Sequence, residues 1–445
     1  MKNNKKLFIS IGINLIGLMA MPILNNYLIV FLINLMIIQT YIINLPKNIF
    51  NPKNIVFAFS FLYVVLPSFI EMIYFTYNIG YILPWGQSTY WFTYSLSTYY
   101  DILLLYLLLF YSFHFFTPKE ETPQLVKYKI DKKKLIFLIV ITIVSLFVYM
   151  NATGGVSIWI NNYKEAFLLG RGGNGILNFI TLFLVNISVF ILSLYYTKEK
   201  KLLIYILSIL LIVLAAYIQG LKSRIIILLI IFYFPYLLQI KLKISKIAIL
   251  GVLFFALLYI GNYIRSNGFY SGVGVFFEYM MTYFNVYEIH NMVKIESSSD
   301  FFKTVHYMFT KPLIYMGFLN DTSPYDLSVE LTKVYFPNDW ESMNATQQWP
   351  LVTNLYYNYY GFFLGWIPIV IYAFAVSSLY KELLKGNYAV SLIFILEYFR
   401  IFSVQRGEFI PWQMPIYIAL YIIIYLVVNQ IIYINMKTYN ISSNR

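Results

Sequence analysis

The stretch GLKSRIIILLIIFYFPYLL, Gly220 to Leu238, sets a charged head on an apolar run. Lys222 and Arg224 stand two apart at its start, and the next charge is Lys241. Apolar runs of about 20 residues recur from end to end, each long enough to cross a bilayer as a helix. In lipid the backbone must satisfy its own hydrogen bonds, so spanning segments are helices or closed barrels. Barrel strands read as short alternating segments. These runs are continuous, which predicts an all-α, polytopic integral membrane helix bundle.

The composition agrees. Of 445 residues, 60% are hydrophobic and 11% charged, against about 25% charged in soluble domains. Cysteine is absent, which excludes disulfides, thiol catalysis and cysteine-ligated metals. The net charge of +13 is read as lysines flanking spans, not as a nucleic-acid surface. The start, MKNNKKLFISIGINLIGLMA, has the layout of a signal peptide without a convincing cleavage site, and a second span follows at once. It is read as an uncleaved first helix.

About twelve spans are expected, near residues 7–24, 27–45, 55–75, 96–116, 135–150, 176–196, 202–219, 223–240, 246–264, 352–377, 388–404 and 412–435. The fifth and eighth are short. Residues 1–264 form the first nine helices, 265–351 a large extracytoplasmic loop with short interfacial helices, and 352–445 the last three helices with a tail. With both termini cytoplasmic, the inner segments MKNNKK, PKNIFNPKN, PKEETPQLVKYKIDKKK, KEKK, QIKLKISK, KELLKGN and the tail hold 20 of the 26 lysines. That alternation follows the positive-inside rule.

Arginine does the opposite. Of six, Arg445 lies inside, while Arg171, Arg224, Arg265, Arg400 and Arg406 fall at outer span ends or in outer loops. Topology does not explain them. A guanidinium is planar, permanently charged and forks onto phosphate or carboxylate. Five of them at the outer face fit an anion presented there. Snorkelling, or pairing with Glu165, Glu278 or Glu408, is the structural alternative for each. Arg171 lies in LLGRGGNG, whose glycines let amides approach an anion. Arg224 lies near a helix start, where the dipole favours anions. The set read as anion-binding is Arg171, Lys222, Arg224, Arg265, Arg400 and Arg406.

The long loop is rich in aromatics and holds His290 and His306. Its end, TNLYYNYYGFFLGWIP, carries Asn354, Asn358, Gly361 and Gly365 at helical spacings, and the two glycines are read as close packing. No HExxH, Gly-x-Ser-x-Gly or Walker sequence occurs, and histidines are too few for a convincing metal site. Candidate outer bases are His290, His306 and Glu278, then Glu288, Asp321 and Asp326. Each is also readable as a solvated loop residue. Glu288 and His290, two apart, fall on different helix faces. His114 belongs at the cytoplasmic end.

The order of features resembles the Wzy-type O-antigen or capsule oligosaccharide repeat-unit polymerases. About twelve spans, GLKSR at the outer entry to a mid-chain helix, and one large outer loop ending in TNLYYNYYGFFLGWIP carry the likeness. The resemblance implies a glycosyltransferase of the bacterial cytoplasmic membrane. It would move a growing glycan from undecaprenyl diphosphate onto a new lipid-linked repeat unit. The lipid-linked oligosaccharide is then donor and acceptor, and a chain-length regulator is a further partner. No nucleotide sugar, metal or other cofactor is expected. By position, diphosphate contacts fall on Arg171, Arg224 and Arg265, then Arg406. Arg224, Arg265, His290, His306 and Glu278 are the candidate catalytic residues. An O-antigen ligase shares this layout. A flippase or transporter is disfavoured by the 87-residue loop and by an expected lack of mid-membrane charge.

Overall fold

The computed structural model describes the chain except residues 1, 83–87, 90–93, 120, 125, 163–165, 167–174, 219–221, 246–248, 250, 253–255, 257, 258, 260–273, 275, 276, 278–280, 282–284, 297–302, 316, 317, 320–326, 344–348, 410, 412 and 435–445. What is described is nearly all helix. The first helices are α1 (Lys2–Ala20), α2 (Asn26–Ile43), α3 (Pro52–Ser60), α4 (Leu66–Thr76), α5 (Leu96–Phe116), α6 (Lys132–Ala152), α7 (Gly155–Asn161), α8 (Gly175–Glu199), α9 (Leu202–Ile218) and α10 (Lys222–Leu237). After them come α11 (Val286–Glu296), α12 (Lys303–Tyr315), α13 (Leu327–Tyr335), α14 (Pro337–Met343), α15 (Leu351–Tyr359), α16 (Phe362–Leu384), α17 (Tyr388–Val404) and α18 (Met414–Ile431).

Eight described segments are long and apolar enough to cross a membrane: 5–23, 26–43, 52–76, 96–116, 132–152, 176–199, 362–384 and 414–431. The expected fifth span is full length after all, because Asp131 caps α6 at Lys133 N and Lys134 N and starts it early. The seventh and eighth are shorter apolar helices, Leu202–Ile218 and Arg224–Leu237, and α17 has 17 residues. Most of the expected ninth span and much of the long loop lie outside the described residues. The all-α expectation needs one amendment. Two short antiparallel ladders occur, β1 (Tyr81–Ile82) with β2 (Ser88–Thr89), and β3 (Tyr128–Ile130) with β4 (Ile432–Ile434).

The expected third span is a single rod built from α3, a π-turn at Phe61–Val65 and α4. Its cause is Pro67, which lacks an N–H and whose ring clashes with the carbonyl four residues back in a regular helix. Widening the turn relieves the clash and frees carbonyls, which lipid does not tolerate bare. Ser68 answers, its Oγ bonding Val64 O at 2.6 Å and Val65 O at 3.1 Å, while Asn34 Nδ2 donates to Ser68 Oγ at 3.0 Å.

The expected tenth span is broken. α15 ends at Tyr360, φ 51°, and Gly361, φ 66°, before α16 begins. Gly361 therefore serves a left-handed corner and not helix packing. Gly365 does serve packing, since a β-carbon there would meet Leu355 Cδ2 at 2.9 Å.

α5 packs against α2, α3, α11, α15 and α16, and α8 against α6, α9, α10 and α18. α17 joins the two groups, touching α3, α10, α16 and α18. Small polar residues allow close approach along α8. Thr142 Oγ1 and Ser188 Oγ lie 2.7 Å apart, and Ser193 Oγ donates to Phe232 O.

The connecting segments sort into two groups by their hydrogen bonds. In one, Glu121 accepts from Lys47 N, Asn48 N and Asn51 Nδ2, each at 2.7 Å. Asn48 bridges to Lys241, Gln124 N donates to Leu384 O, Tyr388 OH donates to Val126 O, and β3 pairs with β4. In the other, Asn291 Oδ1 accepts from Ser95 N, Leu351 N donates to Gln405 O, and Tyr217 OH donates to Trp159 O. Here α11, α12, α13 and α15 share a small core of Val293, Tyr307, Leu331, Trp349 and Tyr357. The first group contains four of the lysine-rich segments, PKNIFNPKN, PKEETPQLVKYKIDKKK, QIKLKISK and KELLKGN, and the second contains segments outside the lysine-rich set.

That partition yields a topology test, and the cysteine-free chain gives no labelling background. A single cysteine at exposed His306 should react with a membrane-impermeant maleimide on intact cells. One at exposed Thr122 should react only after permeabilisation. The reverse pattern would invert the assigned orientation.

Candidate functional site

Arg171, Arg265, Glu278, Asp321, Asp326 and the side chain of Lys222 lie outside the described residues. The other candidates are placed. Arg224 sits in the first turn of α10 and is buried, with 3% of its surface exposed. Its Nη2 donates to Leu182 O at 3.1 Å and to Asn186 Oδ1 at 2.7 Å. Both acceptors are neutral and both belong to one face of α8, four residues apart.

Arg400 is differently housed. It lies three-quarters of the way along α17, and its Nη1 meets Glu397 Oε1 at 2.8 Å within the same helix. The guanidinium packs 4.8 Å from the Tyr417 ring centre, and Nη2 approaches Met414 Sδ at 3.3 Å. Glu397 also accepts from Tyr421 OH at 2.5 Å and Tyr372 OH at 3.5 Å. A carboxylate–guanidinium pair inside the helix bundle is a buried charge that the sequence reading did not expect. It occupies Arg400 structurally. Arg406, beyond the end of α17, lies over the Tyr63 ring at 5.1 Å, so it faces the π-turn.

Ring contacts join the helix that holds Arg224 to the one that lines Arg400. Phe179 and Phe183 of α8 lie 5.9 and 6.3 Å from Tyr417 and Tyr421, the residues that hold the Glu397–Arg400 pair.

His290 is fully buried, against the solvated-loop alternative. It stands on α11, where Nε2 meets Asp101 Oδ2 at 3.2 Å and Nδ1 meets Thr353 Oγ1 at 3.2 Å. Lys294, one turn on, also binds Asp101 Oδ2. Asp101 and Lys294 keep a fifth of their side chains exposed, so the histidine is buried behind a half-open ion pair. Burial pushes the His290 imidazole below its ordinary pKa, and Asp101 pulls against that shift. His306 is exposed on α12, as a solvated loop residue would be. His114 lies 3.2 Å from Lys53 Nζ, close to the PKNIFNPKN segment as expected.

A buried acid stands nearby. Glu71 accepts from Tyr94 OH at 3.1 Å and from Asn285 Nδ2 at 3.4 Å. Tyr99 and Tyr287 pack around it, with Tyr94 and Tyr287 rings 5.3 Å apart. Asp101, Lys294, Thr353, Glu71 and Asn186 were missed as site residues. A usable signal existed for two of them, because Glu71 and Asp101 are single acids inside apolar runs, FIEMIY and YYDILLL, and intramembrane acids are functional or paired.

No protein family, curated protein or solved structure matches the chain. The site is therefore read from its own chemistry.

Two outcomes follow. Glu397→Leu leaves a guanidinium stranded in the bundle and should cost about 3–5 kcal/mol, whereas Glu397→Leu with Arg400→Met should recover most of that loss. Denaturant unfolding in detergent measures both. The second concerns His290, whose native ring resists protonation while the unfolded ring titrates near 6.5. Stability should fall as pH drops below that value, because the unfolded state then binds the extra proton. In His290→Gln the loss of thermal midpoint between pH 7.5 and 5.5 should be smaller; an equal loss would show that His290 does not titrate with folding.

Proposed function

We propose that the chain is a membrane glycosyltransferase of the oligosaccharide repeat-unit polymerase type, acting on undecaprenyl-diphosphate-linked glycans at the outer face of a bacterial cytoplasmic membrane. The observation that carries the reading is Arg224, a buried guanidinium in the first turn of a helix, fixed against α8. Its Nη2 hydrogen bonds to Leu182 O and Asn186 Oδ1 hold the fork in place. Such a fixed cation favours a diphosphate most when that group gains charge, as it does when its bond to the sugar breaks.

The second component is His290. Its Nε2 is oriented by Asp101, and Thr353 meets Nδ1. The acceptor hydroxyl attacks the donor's anomeric carbon and gives its proton to the imidazole. The bond from that carbon to the diphosphate oxygen breaks, and its electron pair leaves with undecaprenyl diphosphate. A neutral imidazole is the form a base requires, and burial favours it.

A flippase or transporter is a second reading, because the Glu397–Arg400 pair is an ionic couple inside the bundle of the kind that lines translocation paths. The same variant separates the two. Arg224→Ala should abolish long glycan while single repeat units remain lipid-linked and externally accessible, at normal protein level. Arg224→Lys should recover little, since a point charge does not fork onto a diphosphate. Units confined to the inner leaflet would indicate a flippase, and unchanged long polymer would remove Arg224 from the chemistry.

A further inference from the structure

We propose that Lys294 is a positioning residue for His290: by sharing one oxygen of Asp101 with the imidazole, it makes the neutral ring the charge-balanced state of the site. This deepens the reading of His290 given above and rests on it. His290 and Lys294 stand four apart on α11, so both side chains leave the same face. The ring Nε2 and the lysine Nζ converge on Asp101 Oδ2, across on α5. An ionised carboxylate only accepts, so the proton of the neutral imidazole is on Nε2 and the lone pair on Nδ1, beside Thr353 Oγ1 at 3.2 Å. The Tyr356 ring centre lies 6.2 Å from that of the imidazole and 5.8 Å from Lys294 Nζ, so one aromatic of α15 packs on both.

The charges of this trio decide its state. Asp101 and Lys294 cancel, so the site is neutral with a neutral imidazole and positive with an imidazolium. His290 is wholly buried, and an uncompensated charge there is costly. Without the ammonium the balance reverses, since Asp101 then pairs best with an imidazolium. Burial holds the His290 pKa down, Asp101 pulls it up, and the Lys294 charge pushes it down again. Other ionisable groups around α11 are turned elsewhere. Glu288, two residues before His290, leaves a different face of α11. Tyr99 of α5 packs on Tyr94 and Tyr287. Tyr63 of the π-turn lies against Phe59 and Arg406. α12 and α13 meet α11 at Val293; their Lys303 and Glu330 pair with each other at 3.3 Å, Lys333 lies over Trp340, and His306 is exposed. Among the described residues, Lys294 is the cation that offsets Asp101. The consequence is chemical, because a base that takes a proton from the acceptor hydroxyl has to begin without one.

Lys294→Met keeps the length and removes the charge, and Lys294→Arg keeps the charge. Lys294→Gln is the second neutral variant, for use if methionine lowers the yield of folded protein. The full chain carries three histidines, so carbon-13 histidine labelling in detergent micelles, assigned with His290→Gln, follows the titration of each ring by NMR. In the unaltered chain the His290 midpoint should lie below 6.5. Lys294→Met should raise it by about one pH unit, and Lys294→Arg should leave it in place. Chain elongation from undecaprenyl-diphosphate-linked repeat units in proteoliposomes, measured across pH, should show its acid limb move up by the same amount in Lys294→Met, with the lost rate recovered on the alkaline side. A lysine that only braces α11 against α5 would lower the thermal midpoint and the rate at every pH and leave the His290 titration unmoved; that result overturns the proposal. A shifted titration with an unshifted limb, or with no elongation in the unaltered chain, supports the charge balance set by Lys294 and removes the catalytic role assigned to His290.

Discussion

A guanidinium taken out of water has to find acceptors, and this bundle settles Arg224 and Arg400 in different ways. Arg400 is met by Glu397 in its own helix, within a cage of Tyr372, Tyr417 and Tyr421. Arg224 is met by a backbone carbonyl and an amide from α8. The Glu397 carboxylate offsets the Arg400 charge, while the two α8 acceptors fix the orientation of the Arg224 fork. Which groups hold each guanidinium was not visible in a list of arginines at one membrane depth.

The lysine alternation read from the sequence reappears as geometry. Four of the seven lysine-rich segments bind one another through Glu121, Asn48, Gln124 and Val126. Other connecting segments pair among themselves. Lengths of apolar runs were legible because bilayer thickness imposes them. Interruptions were less so. The π-turn at Phe61–Val65 follows from Pro67 but needs Ser68 and Asn34 to be tolerable, and that coupling is tertiary. The break at Tyr360–Gly361 looked like a packing motif, since a glycine's conformational use and its packing use read alike in one dimension.

The site was legible in part, and for a stated physical reason. His290 was nominated from residue type in the loop, yet its burial against Asp101 and Thr353 depends on α11 docking onto α5 and α15. Asp101 lies 189 positions away in sequence, so no spacing argument reaches it. The arginines gave the chemistry; their partners gave the roles.

Together these features describe a bundle that holds a buried guanidinium against α8 and an oriented imidazole between α11, α5 and α15, beside a small core of its own. Reconstituting the purified chain in proteoliposomes with undecaprenyl-diphosphate-linked repeat units as the sole glycan tests this account most directly. A ladder of longer lipid-linked chains, with one undecaprenyl diphosphate released for each bond made, is the predicted result. Single units left intact by a folded, correctly inserted protein would contradict it.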